Sequence, residues 1–519
     1  MTAPDENEVR QRLYGAGLLP IRSTLERLHE IGDVEAFLVT AENAGAKGVL
    51  DDAMFDRLMV RTRRRLARNP PTGARTIAPV AAPEPTPAPR PHGLDHYRIE
   101  DFPMHARDVE SEIEVHFDIT GNSRTEGKKE EINACFVDRL NQLRKHILKA
   151  RLPNRPMTVG EAHRRRKQYN NRDDTFTIIG LANEVRHTKN GHLMFNIEDE
   201  SGQVQCLLSL RDDAPHQDIV HAGIMEDDVI GVSGYFNTEG SLVYVENIHF
   251  PPLSRHARRK ASADEAVSAA FISDIHVGGK TFLEPQWHKM IEWFNTDELA
   301  KTIRYLVISG DGVDGVGIYP GQDKELEITD LFNQYSYLGR LLEGLPDWVE
   351  VILLPGNHDA VRPAEPQPAL DPELQTDYNN TLFVGNPCDF SLHGVRVLSY
   401  HGVSIMDFVS SLRSVTFETP EAAMRAMIDR RHLAPSWGGK TPLSPEPEDR
   451  LVIQEIPDIF VTGHVHGHHT EVYKGVSLIH SSTWQDQTSY QRMLGFQPKP
   501  CILTVVNLHT HATAAIPFA

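Results

Sequence analysis

Hydrophobic positions in the C-terminal half of the chain come in short unbroken runs, not at helical spacing. Phe271-Ile272-Ser273 leads into Asp274-Ile275-His276, and Arg304 to Ser309 leads into Gly310-Asp311. Val351 to Leu354 leads into Pro355-Gly356-Asn357-His358-Asp359, Val395 to Tyr400 into His401-Gly402, and Ile459 to Thr462 into Gly463-His464-Val465-His466. Apolar runs this short, bounded by Gly, Pro, Asn or Asp, predict buried strands. The stretch from Asp174 to Phe250 reads as all β. Strands are expected at Phe176–Leu181, Leu193–Asp199, Val204–Leu208, Val229–Phe236 and Tyr244–Ile248, with Asn190-Gly191 supplying a tight turn. Ile113, Val115, Phe117 and Ile119 alternate as a strand would, whereas Ile132 to Leu148 has helical period.

The N-terminal pattern is different. Leu25, Leu28, Ile31, Phe37 and Leu38 recur at roughly helical spacing, Ser23 with Glu26 has the form of a capping box, and Asp51 to Leu66 is a second periodic segment. Prolines at 79, 83, 85, 87, 89 and 91 then impose an extended linker. The expected plan is a helical module (1–68), a Pro/Ala-rich linker (69–92), a connecting region (93–170), a five-stranded domain (171–252) and a ligand-bearing domain (266–519).

Composition narrows the class. The chain has 519 residues, a formal net charge of −19 and four cysteines in no paired spacing. No run approaches the roughly 18 apolar residues that span a bilayer. The acidic start Asp5-Glu6 does not suit a signal peptide. A soluble cytoplasmic protein with no membrane partner is expected. The acid excess argues against a uniformly basic DNA-binding face, although Arg63-Arg64-Arg65, Arg164 to Lys167 and Arg255 to Lys260 are basic clusters.

The run ends supply Asp274, His276, Asp311, Asn357, His401, His464 and His466. In an extended segment residues two apart face the same way, so Asp274 and His276 can reach one ion. Seven groups exceed one tetrahedral site and suit two ions with Asp311 as the shared carboxylate. The imidazole, carboxylate and amide mixture fits Mn²⁺ first, then Fe²⁺ or Zn²⁺. Two ions about 3.5–4 Å apart clamp a phosphate and acidify a water. His358 follows Asn357 directly and points elsewhere. It is read as the general acid, oriented by Asp314 or Asp359. The insertion 404–455 can form a lid, with Arg430, Arg431 and His432 as candidate phosphate or DNA contacts. Phe195, Tyr235, Phe236 and Tyr244 are candidates to stack bases, against the commoner reading of each as core.

Asp274-x-His276, Gly310-Asp311-x-x-Asp314, Gly356-Asn357-His358-Asp359, His401-Gly402 and Gly463-His464-x-His466 resemble the motifs of the calcineurin-like metallophosphoesterase superfamily. That resemblance implies an α+β fold, a two-sheet sandwich flanked by helices, with metals at the strand ends. It also favours Asp314 over Asp359 as the partner of His358. The five-stranded segment resembles an OB-fold barrel. Its place directly ahead of the phosphoesterase domain is similar to the small subunits of archaeal D-family DNA polymerases. So are Asp311 to Gly317, Arg431-His432-Leu433-Ala434-Pro435, and Thr483 to Thr488 with Gly495 and Pro498. The narrower resemblance implies a 3′-5′ proofreading exonuclease that works by a two-metal mechanism. Its implied partners are a large catalytic polymerase subunit and DNA, with a sliding clamp or primase as further candidates. A freestanding phosphoesterase or repair nuclease, and a non-catalytic scaffold subunit, are the rival readings.

Overall fold

A computed structural model of the chain describes residues 105–209, 223–253, 260–493 and 495–519, with short pieces at 18–20, 37, 40, 48–50, 54, 55, 58 and 59. The chain divides into two compact units, 1–89 and 90–519. In the first unit, β1 (Leu18–Pro20) and β2 (Gly48–Leu50) pair in parallel, which the helical expectation did not include. Phe37 and Phe55 are buried there with ring centroids 5.3 Å apart. The expected Ser23–Glu26 capping box, the Pro/Ala-rich linker and the Arg63–Arg65 cluster lie outside the described residues.

In the second unit, β3 (Ile113–Phe117) is followed by helix α1 (Lys129–Ile147) and α2 (Val159–Arg164). Then come β4 (Phe176–His187), β5 (Leu193–Asp199), β6 (Gly202–Leu208), β7 (Val229–Phe236) and β8 (Leu242–His249). These five close a barrel in the order β4-β5-β6-β8-β7. Phe195 and Phe236 fill its interior, so neither can meet a base, whereas Tyr244 is exposed and pairs with Tyr235 at 5.5 Å between centroids. Leu140, Leu143 and Ile147 of α1 cover Ile179, Leu181 and Val229 on the barrel's outside. The start of β4 is therefore buried on both faces and reads as a continuous apolar run.

The rest is a sandwich of two six-stranded sheets. One contains β9 (Ser268–Ile272), β10 (Ile303–Ser309), β11 (Glu350–Leu354) and β12 (Thr381–Phe383), all parallel. The other contains β13 (Cys388–Leu392), β14 (Val395–Ser399), β15 (Ile459–Thr462), β16 (His469–Tyr473) and β17 (Val476–His480), with β14, β15 and β17 parallel. Antiparallel β18 (Ile502–Asn507) and β19 (Thr513–Pro517) complete the first sheet beside β9. β3 forms the edge of the second sheet, against β13.

Period-2 geometry explains the unbroken apolar runs. Phe271, Val307, Ile352, Val397, Val461 and Ile479 meet between the sheets. Their neighbours Ile272, Ile308 and Leu353 face outward under α3 (Glu284–Thr296) and α4 (Leu331–Leu342). Leu398, Phe460 and Leu478 face α5 (Ile405–Ser411) and α6 (Pro420–Arg430) of the insertion. Each strand is buried twice, so no polar face breaks the run. The parallel strands β9, β10, β11, β14 and β15 all point their carboxyl ends to one edge, where α/β sheets place their sites.

Candidate metal and phosphate site

Each of those five strand ends delivers candidate ligands into one cluster. Asp274, His276, Asp311, His401 and His466 are buried; Asn357, His358 and His464 remain partly exposed. Two groups form. In the first, Asp274 Oδ1 lies 3.3 Å from His466 Nε2 and 3.9 Å from His276 Nε2. The two Nε2 atoms are 3.1 Å apart. In the second, His401 Nε2 lies 3.1 Å from Asn357 Oδ1 and 3.3 Å from Asp311 Oδ2, with His464 in the same group. Asp311 Oδ2 also comes within 3.8 Å of His276 Nε2, so this oxygen stands between the two groups.

The hydrogen bonds decide which ring nitrogens are free. A carbonyl oxygen only accepts, so His401 Nδ1, 2.9 Å from the Ser309 carbonyl, carries the proton. His276 Nδ1 is likewise held by Asp314 Oδ1 at 3.1 Å. His466 Nδ1 instead accepts from the Gln491 side-chain N–H at 2.8 Å. In His401 and His276, Nε2 is therefore left to face the carboxylates, the tautomer that metal-binding histidines adopt when an outer acceptor holds Nδ1–H; in His466 the Gln491 amide sets the ring's orientation but not that tautomer. The electrostatics agree. Burial would lower His401 and His276, but the carboxylates around them outweigh it: Asp311 above all for His401, and Asp314 with Asp311 for His276. His401 is pushed up to about 10 and His276 up to about 9. Burial holds His464 down at about 3. The cluster thus favours positive charge: with no cation present it is met by protons on His401 and His276, and a bound cation would take the place of those protons and meet imidazole nitrogens and carboxylate oxygens. This donor set fits a pair of borderline divalent cations.

The backbone is bent to make this cluster. Asp274, His276, Asp311, His464 and His466 all have φ between 52° and 74°. Such left-handed conformations cost of order 1–3 kcal/mol each for residues other than glycine and persist where the surroundings enforce them. Gly310 has φ 95°, and a Cβ on it would lie 2.3 Å from His401 Nδ1; a Cβ on Gly356 would lie 2.2 Å from Asp311 Oδ1. Gly310→Ala is therefore expected to displace His401. The expected result is a chain that melts earlier and takes up less Mn²⁺, read by thermal denaturation and calorimetric titration. Unchanged metal uptake would refute the close fit.

His358 sits beside both groups. Its backbone N–H donates to Asp311 Oδ1 at 2.8 Å, and its ring meets that of His276 edge-on at 4.7 Å. The two carboxylates weighed as its partner have other duties. His358 Nδ1 donates to the Asp314 main-chain carbonyl at 2.8 Å, with the Asp314 carboxylate 3.9 Å away. That carboxylate holds His276 and accepts from Gln322 and Gln485. Asp359 accepts from the backbone N–H groups of Gly356 and Gly312 and from the Tyr335 hydroxyl, pinning the turns together. Burial and the Asp311 charge push Asp359 up to about 6.

Arg430, Arg431 and His432 do not join the site. All three are buried. Arg430 pairs with Asp228 at 3.0 Å and reaches the Gly223 carbonyl, Arg431 bonds the Gln454 carbonyl, and His432 bonds Asp449 at 2.9 Å. The insertion that carries them docks on the barrel instead of exposing them to a phosphate. Sequence reasoning missed Gln322, Gln485 and Gln491 as supports. Gln485 lay within the Thr483–Thr488 segment singled out by resemblance, but nothing local marked its role.

The family model for the B-subunits of DNA polymerases alpha and epsilon matches residues 269–471. The DNA polymerase II small subunit of Halobacterium salinarum is 35% identical over 445 residues, which are 85% of this chain and 85% of that protein. That of Archaeoglobus fulgidus is 36% identical over 75% of this chain and 77% of its own length. The Methanocaldococcus jannaschii protein of the same description is 36% identical over 78% of this chain and 68% of its own. A similarity of this depth and extent reaches well beyond the site itself, and on it the chain belongs to the family of DNA polymerase II small subunits.

Proposed function

We propose that this chain is the nuclease subunit of a two-subunit archaeal replicative polymerase. In this reading it hydrolyses the terminal phosphodiester of a mismatched primer in the 3′-5′ direction, and its partner is a large catalytic subunit. The observation that carries the proposal is Asp311 Oδ2, within 3.8 Å of His276 and 3.3 Å of His401, with His358 bonded to the same side chain's other oxygen. A site that joins two cation-ready groups and places a general acid at their junction suits phosphodiester cleavage. The five-stranded barrel is read as an OB-fold that holds the sandwich in the assembly.

Asp274, His276, His466 and Asp311 would hold one divalent ion, and Asp311, Asn357, His401 and His464 the other, with Mn²⁺ the first choice. When bound, such a pair polarises the phosphate and supplies a nucleophilic water at neutral pH. The protein's own part is orientation and proton transfer. Ser309, Asp314 and Gln491 fix the three imidazoles by their Nδ1 atoms. The Asp314 carbonyl accepts from His358 Nδ1–H, so to act as the acid the ring must carry a second proton on Nε2, and that Nε2–H is the proton given to the departing 3′ oxygen. A positioned acid of this kind contributes about 10²–10⁴-fold.

His358→Gln should therefore lower kcat by roughly 10²-fold or more while bound metal stays at the level of the unaltered chain. Normal turnover in that variant would remove the general-acid assignment. The activity itself is tested by release of mononucleotides from primers with matched and mismatched 3′ ends, with Mn²⁺ supplied. Absence of any release, with metal bound, would instead favour the scaffold reading. Preference for mononucleotide esters over DNA would favour a freestanding phosphoesterase.

A further inference from the structure

The loop after Asp314 places apolar side chains in water beside the site. Val316 is 45% exposed, Ile318 39% and Tyr319 39%. The loop is not loose. Wholly buried Gln334 accepts from the Gly315 N–H at 2.9 Å and donates back to the Gly315 carbonyl at 3.1 Å. Buried Gln322 accepts from the Ile318 N–H at 2.9 Å and donates to the Asp314 carbonyl at 2.8 Å. The Tyr319 hydroxyl donates to Glu325 at 2.8 Å, which fixes the ring. The same glutamine amides also hold the Asp314 carboxylate and the Ile328 carbonyl, so the loop is fixed to the site's own framework. Two buried amides thus fix the backbone of the loop that carries these three side chains.

Their place says what would cover them. The Tyr319 ring stands 6.4 Å from the His358 ring, at 67° to it. Ile318 and the His358 carbonyl both lie against Gly315, within 3.0 Å of where its Cβ would be. A group whose phosphate is engaged at His358 carries its attached base to within reach of this loop. A flat aromatic base is the part of a nucleotide that an exposed tyrosine on a loop with two exposed aliphatic side chains recognises.

We propose that Val316, Ile318 and Tyr319 form a stacking shelf for the terminal base of the strand being cleaved, and that this shelf makes the site act on unpaired 3′ ends. The inference rests on the nuclease reading above and gives it a substrate preference. A base held in a duplex is stacked on its neighbour and paired, so it cannot lie on Tyr319. A mismatched or single-stranded terminal base can, at little cost. Tyr319 is a specificity-determining residue here and takes no part in proton transfer.

The test uses the full chain with Mn²⁺ and two single-stranded oligonucleotides, alike except that one ends in an abasic 3′ nucleotide. Tyr319→Ala should lower kcat/KM on the normal end by roughly tenfold, the scale of one base stacked on one ring. On the abasic end it should change by less than about twofold, because no stacking is there to lose. Tyr319→Phe should keep the normal rate, since it keeps the ring. Metal-free binding of the two oligonucleotides, followed by fluorescence anisotropy, should show the same split. Equal losses on both ends, or none on either, would overturn the shelf. If the unaltered chain cleaves neither oligonucleotide, the nuclease reading fails and not the shelf alone. Val316→Ser with Ile318→Ser provides a second variant in which the tyrosine ring is untouched. It should lose activity on the normal end only, and parallel losses would again overturn the proposal.

Discussion

Asp311→Ala is expected to abolish nuclease activity and to empty both cation positions together. Loss of an outer partner of a metal ligand typically costs about 10–100-fold. Asp311 stands closer in than that: one oxygen approaches His276 at 3.8 Å and His401 at 3.3 Å, and the other accepts the His358 N–H at 2.8 Å. Removing it separates the two groups and frees the His358 backbone N–H in one step. The loss should exceed roughly 100-fold. Metal bound per chain, measured on the purified protein, should fall with it.

Asp311→Asn divides the effect. Asn keeps an oxygen to accept from His358 and keeps the volume that Gly356 packs against. It loses the second carboxylate oxygen and the charge. A variant that holds its fold and its large-subunit partner but lacks metal and activity would place the effect in the shared carboxylate. Full nuclease activity in either variant would remove Asp311 from the site altogether.

How far this was legible in the sequence depended on the kind of signal. The five strands that carry the candidate ligands could be read because burial on both faces leaves a continuous apolar run, and because each run stops at a Gly, a Pro or a candidate ligand. The barrel's strands were readable for the same reason, with α1 covering the outside of β4. What could not be read was direction. Arg430, Arg431 and His432 look basic and free in sequence, yet Asp228, Gln454 and Asp449 consume them, and each partner is distant along the chain or hidden in an acidic background. Asp314 could be chosen over Asp359 only by resemblance. Local spacing does not reveal that its carboxylate turns to His276 and only its carbonyl to His358. The positive φ angles at five candidate ligands are only faintly marked in sequence, since Asp and His enter the left-handed region more often than most residues but do not announce it as glycine does. Nor did the basic appearance of α1 show which of its arginines is buried.

That buried arginine carries the second large expected effect. Arg139→Ala should destabilise the chain by about 3–5 kcal/mol, the usual result of leaving one member of a buried ion pair alone. Arg139 Nε donates to Asp449 Oδ2 at 2.6 Å, and its guanidinium also reaches the carbonyls of Pro435 and Asp227 and lies over the Phe136 ring. One side chain thereby ties α1, the insertion after His401 and the barrel's β6–β7 connection. His432 on the same carboxylate cannot fully replace it, because burial, the largest influence on its imidazole, still opposes its positive charge when Arg139 is gone. The pH dependence has a definite sign. Burial would raise Asp449, but Arg139 and His432 outweigh it and hold it below its ordinary 3.8. Its pairing therefore stabilises the fold above pH 3.8 and is lost as pH falls below that value. Without Arg139 only His432 opposes burial, and the carboxylate rises. The stability gap between the two proteins, measured by denaturant unfolding, should be widest near neutral pH and narrow in acid. Arg139→Met combined with Asp449→Leu should recover much of the loss, because an apolar pair of similar volume leaves no charge stranded. A gap below about 1 kcal/mol, or one that widens in acid, would show that the three elements are joined by packing alone and that the ion pair is incidental to it.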